Sequence, residues 1–542
     1  MIHRVPTQPQ PGQKPGTSGL RKKTRVFMQK GYLENFVQSI FNGINGVQGK
    51  VLVLGGDGRF FNTEAVQIIL KMAAASGAAK VLVGQGGLLS TPAASHLIRL
   101  HQADGGVILS ASHNPGGIQG DFGVKFNTAN GGPAPETVTD AIYGATRTIE
   151  EYLILDSPDL DLSTTGALNL AGTLIEIVDP VEDYADLMEK LFDFKMIREF
   201  LAQGFSLTFD AMHAITGPYA REILINRLGA PETTLRNAIP LPDFGGGHPD
   251  PNPVWAHELL NIMMASDAPD FGAASDGDGD RNMILGRGLY VTPSDSLAVI
   301  AANAHLVPGY ANGLTGVARS MPSSSALDRV AAAQGIECFA TPTGWKYFGN
   351  LLDAGRVSLC GEESAGTGSD HIREKDGMWA VLMWLNILAV RKMSVREIMS
   401  SHWRKFGRDY YSRHDYEEVD ADAAAALIED LRSRLDALAG AKFGPLTVSS
   451  AEDFSYADPV DGTVTTNQGI QITFAEDARL VLRLSGTGTA GATLRVYMEQ
   501  FKPGPDGLDN NTQIALEDVC AACDALTDLK GRLGRTQPDV IT

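Results

Sequence analysis

Phe271-Gly272-Ala273-Ala274-Ser275-Asp276-Gly277-Asp278-Gly279-Asp280-Arg281-Asn282-Met283-Ile284-Leu285 places three carboxylates at alternate positions between two apolar runs, with a cation after the third. The apolar flanks predict two strands joined by the acidic turn. Three acidic oxygens brought to one point repel one another unless a hard dication sits among them, and the two glycines let so short a loop fold inward. The stretch reads as a Mg²⁺ site; a solvated acidic turn is the plain alternative. A calcium loop of the EF-hand kind needs Gly at position six and Glu at position twelve, where this chain has Arg281 and Arg287.

The same theme recurs along the chain as an apolar run of strand length, a polar or Gly turn, and a helical pattern. Val51 to Leu54 runs into Gly55-Gly56-Asp57-Gly58-Arg59 and a predicted helix from about Thr63 to Ala75. Phe205 to Phe209 and Gly316 to Ala318 open comparable units. Such alternation predicts mixed, largely parallel sheets covered by helices, in which ligands gather beyond the carboxyl ends of strands. Three chemically loaded loops follow apolar runs: Ser110-Ala111-Ser112-His113-Asn114-Pro115, the Asp loop, and Gly361-Glu362-Glu363-Ser364. One α/β domain for each is the economical expectation, over 1–180, 181–292 and 293–408. Residues 409–542, with short β-like runs at 471–474, 480–484 and 493–498, read as a smaller α+β domain.

At 542 residues the chain exceeds what one hydrophobic core supports, in keeping with several domains. A formal net charge of −19 argues against nucleic acid or an anionic membrane as partner. An anionic small substrate then needs a local cationic pocket. Four cysteines form no disulfide framework, which suits a reducing cytoplasm. Cys520 and Cys523 read as small core residues of one helix. No signal peptide is evident, and the longest apolar run, Met378 to Val390, predicts a buried helix rather than a bilayer span. Residues 1–16, rich in Pro, Gln and Gly, are expected to be poorly ordered.

Arg483-Leu484-Ser485-Gly486-Thr487-Gly488-Thr489, with Arg495 beyond, offers hydroxyls, amides and cations suited to a phosphate dianion; a plain Gly-rich hairpin is the alternative. Its match to a dinucleotide fingerprint fails, because the residues that follow alternate like a strand. Ser112 sits in a turn opened by Pro115-Gly116-Gly117, so its hydroxyl is expected to be presented rather than packed. His113 and Lys125 are candidates for proton transfer or charge stabilisation, although a turn histidine hydrogen-bonded locally would look the same.

Lys14 to Arg21, Ala111 to Gly117, Asp276 to Arg281, Thr341 to Lys346, Gly361 to Lys375 and Arg483 to Thr489 together resemble, in order, the α-D-phosphohexomutases, and most closely phosphoglucomutases of the long, glucose-specific type. The resemblance covers nearly the whole chain. It implies a heart-shaped α/β molecule of four domains around one cleft, three related mixed-sheet domains and a C-terminal α+β domain. It implies an isomerase interconverting glucose 1-phosphate and glucose 6-phosphate through glucose 1,6-bisphosphate. Ser112 resembles the phosphoserine that joins Asp276, Asp278 and Asp280 on one Mg²⁺, while Arg21, Arg281 and Lys125 balance phosphoryl charge. Glu362 and Ser364 resemble the pair gripping sugar hydroxyls, and Thr343 and Gly344 those lining the sugar site. Lys375 with Arg483, Ser485, Gly486, Thr487 and Arg495 is implied to receive the phosphate that is not reacting. Ala365 and Thr489 depart from the animal enzymes. A mutase for mannose or amino-sugar phosphates, and a silent scaffold homologue, are the rival readings; loss of Ser112 or an Asp would mark the latter, and neither is lost.

Overall fold

Val51–Gly56 is the hub of a seven-stranded sheet, flanked in parallel by Lys80–Leu88 and Gly105–Leu109. Parallel neighbours require crossovers, which helices Asn62–Ala75 and Thr91–Leu100 supply. The latter begins with Ser90 accepting a hydrogen bond from the Ala93 amide and Pro92 in its first turn, where no amide is lost. Asp121–Thr128 and Leu20–Lys23 add antiparallel strands on one side; Thr173–Val178, parallel, and Gly166–Leu170, antiparallel, complete the other. The computed structural model describes residues 1–16, 18–485 and 491–542.

Two smaller mixed sheets follow. One holds Leu235–Arg236, Leu207–Asp210, Phe271–Ser275, Asn282–Gly286 and Leu289–Val291 in spatial order, the other Glu337–Thr341, Gly316–Ser320, Leu359–Gly361 and Thr367–Ser369. In all three sheets a group of parallel strands ends in an antiparallel pair: Gly105–Leu109 with Asp121–Thr128, Phe271–Ser275 with Asn282–Gly286, and Leu359–Gly361 with Thr367–Ser369. Each pair is joined by one of the loaded loops, so each loop leaves the carboxyl end of a parallel strand. The fourth sheet is antiparallel, with seven strands between Arg408 and Ile541, and its central hairpin is Ala478–Ser485 with Ala492–Lys502.

A continuous apolar core runs through the first three units and centres on helix Gly377–Arg391, whose residues 377–389 are all buried. Trp379 and Trp384 lie inside it, each indole N–H satisfied, by Tyr310 Oη and Ser296 Oγ. The outer face of the first sheet and the C-terminal unit have cores of their own. Among the described residues no single helix is long and apolar enough to cross a membrane. Cys523 is buried and Cys520 half-buried on helix Glu517–Thr527, and both are free thiols.

The expectation of a poorly ordered start is corrected. Ile2–Pro6 is a strand paired antiparallel with Glu151–Leu155, and Asn35 Nδ2 donates to Thr7 Oγ1 and to the Gln8 carbonyl. Composition missed this because the strand is held by backbone hydrogen bonds to a distant partner rather than by burial of its own side chains.

Candidate active site

Ser112 follows the strand Gly105–Leu109 and adopts the left-handed region, φ +53°. Its Oγ donates to Asp276 Oδ2 at 2.9 Å and lies 3.3 Å from His113 Nδ1. The side chain is enclosed, 1% exposed, not presented to solvent as the turn sequence suggests. The reason is long-range: the metal-type loop closes over it, and a Cβ on Gly277 would stand 2.3 Å from the Ser112 carbonyl oxygen. Only glycine permits that approach.

Asp276, Asp278 and Asp280 are buried, and one carboxylate oxygen from each lies within 4.8 Å of the others. Asp276 Oδ1 accepts the amides of Asp280 and Arg281 at 2.9 and 3.0 Å, which turns the loop inward. Asp278 Oδ2 accepts from Thr91 Oγ1 at 2.6 Å and from Lys125 Nζ. Lys375 Nζ stands 3.3 Å from Asp280. Oδ1 of Asp278 and Oδ1 of Asp280 are buried without a hydrogen-bond partner among the described residues. Orphaned anionic oxygens on converging carboxylates fit a divalent cation with oxygen ligands. The electrostatics agree: burial, then repulsion from Asp280 and Asp278, pushes the Asp276 carboxyl well above its usual range. At Asp278 burial acts in the same direction, but the Lys125 ammonium and the Thr91 hydroxyl override it and hold the group below the usual range.

The cations expected from the sequence gather on this centre. Arg21, His113, Arg281, Ser364 and Arg495 line one cleft of about 320 Å³, the size of a small-molecule site. Burial, helped by Arg281 and Arg21, holds the His113 imidazole well below its ordinary value and therefore neutral. Arg281 is oriented by Asp250 at 3.5 Å. The Gly361 to Ser364 loop is fastened to the Asp loop, since the Asn282 amide and side chain both donate to the Ala365 carbonyl and Gly377 N–H donates to Gly279. Glu362 is buried and accepts the Gly344 amide at 2.8 Å, and burial raises its carboxyl. Thr343 Oγ1 is buried without a hydrogen-bond partner among the described residues. Arg483 reaches Gln468 O and Tyr497 Oη. Arg495 stands 3.7 Å from Asp415, beside Arg413. Ser485 closes the strand before the phosphate-type loop; Gly486 and Thr487 lie outside the described residues.

Sequence reading missed Thr91, Asp250, His248 and the pair Asp57–Arg59. Asp57-Gly58-Arg59 read only as a turn, and Thr91 meets Asp278 across 187 positions, a contact with no local sequence signal.

A serine set against a carboxylate triad that can hold a metal ion, and ringed by cations, is the equipment of a phosphoryl-transfer enzyme. Models of the phosphoglucomutase/phosphomannomutase α/β/α domains I, II and III match residues 12–153, 182–288 and 293–406, and the phosphoglucomutase-1 C-terminal domain matches 408–539. The chain is 58% identical to a phosphoglucomutase of Rhizobium radiobacter over the full length of both, and 50% identical to phosphoglucomutase-1 of Oryctolagus cuniculus over 99% of both. The structure of the Paramecium phosphoglucomutase parafusin, an exocytosis-sensitive phosphoprotein in an open form, superposes with a TM-score of 0.92 at 48% identity, covering 100% of this chain and 99% of that one. The chain belongs to the phosphoglucomutase/phosphomannomutase family.

Proposed function

We propose that the protein interconverts α-D-glucose 1-phosphate and glucose 6-phosphate through a phosphoserine at Ser112 and a glucose 1,6-bisphosphate intermediate. The observation that carries the reading is the 2.9 Å contact of Ser112 Oγ with a carboxylate triad that has two orphaned oxygens. Asp276, Asp278, Asp280 and the serine oxygen would hold a Mg²⁺, which neutralises phosphoryl charge there.

The phosphoserine Oγ–P bond breaks as sugar O6 of glucose 1-phosphate bonds to phosphorus, and the O6 proton leaves to a base. Neutral His113, 3.3 Å from Oγ, is the group at hand for that proton, while Lys125, an ammonium paired with Asp278, stabilises charge beside it. After the bisphosphate turns over, its O1–P bond breaks, Oγ recovers a phosphoryl group and O1 takes the proton. Arg21, Arg281 and Lys125 balance charge, Glu362, Ser364, Thr343 and Gly344 hold sugar hydroxyls, and Lys375 with the Arg483 to Thr487 loop and Arg495 holds the idle phosphate. The relatives named phosphoglucomutase and the Glu362-Glu363-Ser364 loop favour glucose. We assign residues 1–180, 181–292, 293–408 and 409–542 as the four domains and the cytoplasm as the compartment, with neither nucleic acid nor membrane as partner.

The test is intact-mass measurement with peptide mapping for one phosphate on Ser112, together with Ser112→Ala. The variant should bind sugar phosphate yet turn over below about 1% of the wild-type rate, as expected when a nucleophile is removed. Residual activity above that level, or equal kcat/KM on mannose 1-phosphate for the wild type, overturns the assignment.

A further inference from the structure

Arg59 lies behind Ser112, outside the cleft. Its side chain is fully enclosed, and every guanidinium nitrogen is engaged. Nε donates to Asp57 Oδ1 and Oδ2 at 3.0 and 2.9 Å, Nη1 to the Asp121 carbonyl at 2.8 Å and the Asn114 carbonyl at 3.5 Å, and Nη2 to the Ser112 carbonyl at 2.7 Å. Asp57 Oδ2 also accepts from Ser110 Oγ at 2.7 Å, and that same Oγ accepts the Ser112 amide at 2.7 Å. Both backbone polar groups of Ser112 therefore end on Asp57, one through Arg59 and one through Ser110.

This arrangement meets a specific need. Ser112 is a non-glycine residue at φ +53°, a conformation that persists only where the surroundings over-determine it. The Asp57–Arg59 ion pair is internally compensated and does not border the cleft, so it offers the substrate neither contact nor net charge. What it does offer is direction: with amide and carbonyl fixed, the Cα–Cβ bond of Ser112 points Oγ at Asp276. Gly58, at φ +81°, makes the tight return that lets Asp57 and Arg59 face each other.

We propose that Arg59, held by Asp57 and backed by Ser110, is the positioning residue that aims the Ser112 hydroxyl at the metal-type triad. The proposal rests on Ser112 being the phosphoryl carrier. A purely structural arginine would affect stability alone, whereas an aiming device governs the transfer step while leaving the substrate subsites intact.

The experiment compares Arg59→Lys and Ser110→Ala with the wild type by steady-state kinetics and by single-turnover transfer of phosphate from phosphorylated enzyme to glucose 6-phosphate. Ser110→Ala removes one small hydroxyl and keeps both members of the ion pair, so it decides the matter if Arg59→Lys does not fold. A misplacement of about 1 Å costs roughly 100-fold in rate. Arg59→Lys and Ser110→Ala should therefore each lose about 10- to 100-fold in kcat and in single-turnover rate, with KM within about twofold of wild type, and Arg59→Met, assayed beside them and unable to donate to the Ser112 carbonyl, should lose more than Arg59→Lys. Wild-type single-turnover rates in folded Ser110→Ala, or a rise in KM that matches the fall in kcat/KM, would overturn the proposal. Absence of phosphate from Ser112 in the wild type would instead overturn the reading beneath it, and the peptide map separates the two.

Discussion

Asp276 and Asp278 share a loop and a burial depth yet answer to different partners. Asp278 faces the Lys125 ammonium and Thr91, while Asp276 faces backbone amides, the serine and two like charges. Asp278→Asn therefore takes from buried Lys125 its hydrogen-bonded anion and leaves only Asp280, 3.9 Å away, to compensate it, a loss of at most about 3 kcal/mol. Asp276→Asn keeps an acceptor for the Asp280 and Arg281 amides and removes a repelled charge. With metal chelated, Asp276→Asn should match or exceed the wild type in resistance to urea and Asp278→Asn should fall below it, while both bind Mg²⁺ more weakly and turn over more slowly. Equal urea midpoints for the two variants would contradict this division. Glu362→Ala should cost about 5- to 150-fold in kcat/KM, the range for one buried hydrogen bond lost, with phosphoserine occupancy unchanged by mass. Residues whose chemistry repeats within six positions, such as the three aspartates, were legible in the sequence. Arg59 and Thr91 were not, because their roles come from chain segments that meet only in the folded molecule.

At the scale of elements, the three α/β units share one device, an antiparallel hairpin closing a parallel group, and its turn carries the chemistry. The strands and helices around it were readable from apolar runs and Gly punctuation, including the buried helix at Met378 to Val390. The closeness of the turns was not: it depends on glycines whose necessity shows only against a neighbour. Gly277→Ala would drive a methyl group against the Ser112 carbonyl, so transfer should slow by about 100-fold, as for an ångström of displacement; single-turnover kinetics measure it. Helix Val395–Phe406 carries a second consequence of packing. His402 is buried against Phe406, and desolvation lowers its pKa to about 3. Between about pH 6.5 and 3 the unfolded chain binds a proton that the native helix refuses. Stability should thus fall through His402 as pH drops across that window, by about 1.4 kcal/mol per unit. His402→Leu should flatten that part of the curve, which urea midpoints at pH 7 and 4.5 would detect as a smaller difference than in the wild type.

Across the whole molecule, the phosphate-type loop stands on a hairpin whose base is fastened to the third unit. Arg479 and Glu499 face each other across that hairpin, and their ion pair is 2.6 Å long. Arg479 donates to the carbonyls of Met321 and Ser323, and Glu499 accepts the Ser325 amide at 2.7 Å. Arg483 lies four residues beyond Arg479, roughly 13 Å at strand rise, so a tilt at the base is carried to the tip. Arg479→Met removes two hydrogen bonds between units and leaves Glu499 buried near Asp409 with less positive charge. If Arg483 and Arg495 hold the idle phosphate, that loosened seat should raise KM for both sugar phosphates. It should also let the bisphosphate escape before its second transfer, which strips phosphate from Ser112. Arg495→Ala should do the same from the tip, losing about 10- to 150-fold in affinity with one charge-assisted contact of roughly 1.5–3 kcal/mol. The measurement is mutase rate against added glucose 1,6-bisphosphate, with inorganic phosphate followed in parallel. Both variants should need more bisphosphate than the wild type to reach their plateau, without releasing phosphate at the rate of substrate loss. Wild-type dependence in Arg495→Ala would remove the loop from the mechanism, and wild-type dependence in Arg479→Met alone would show that the tip holds its place without the seat.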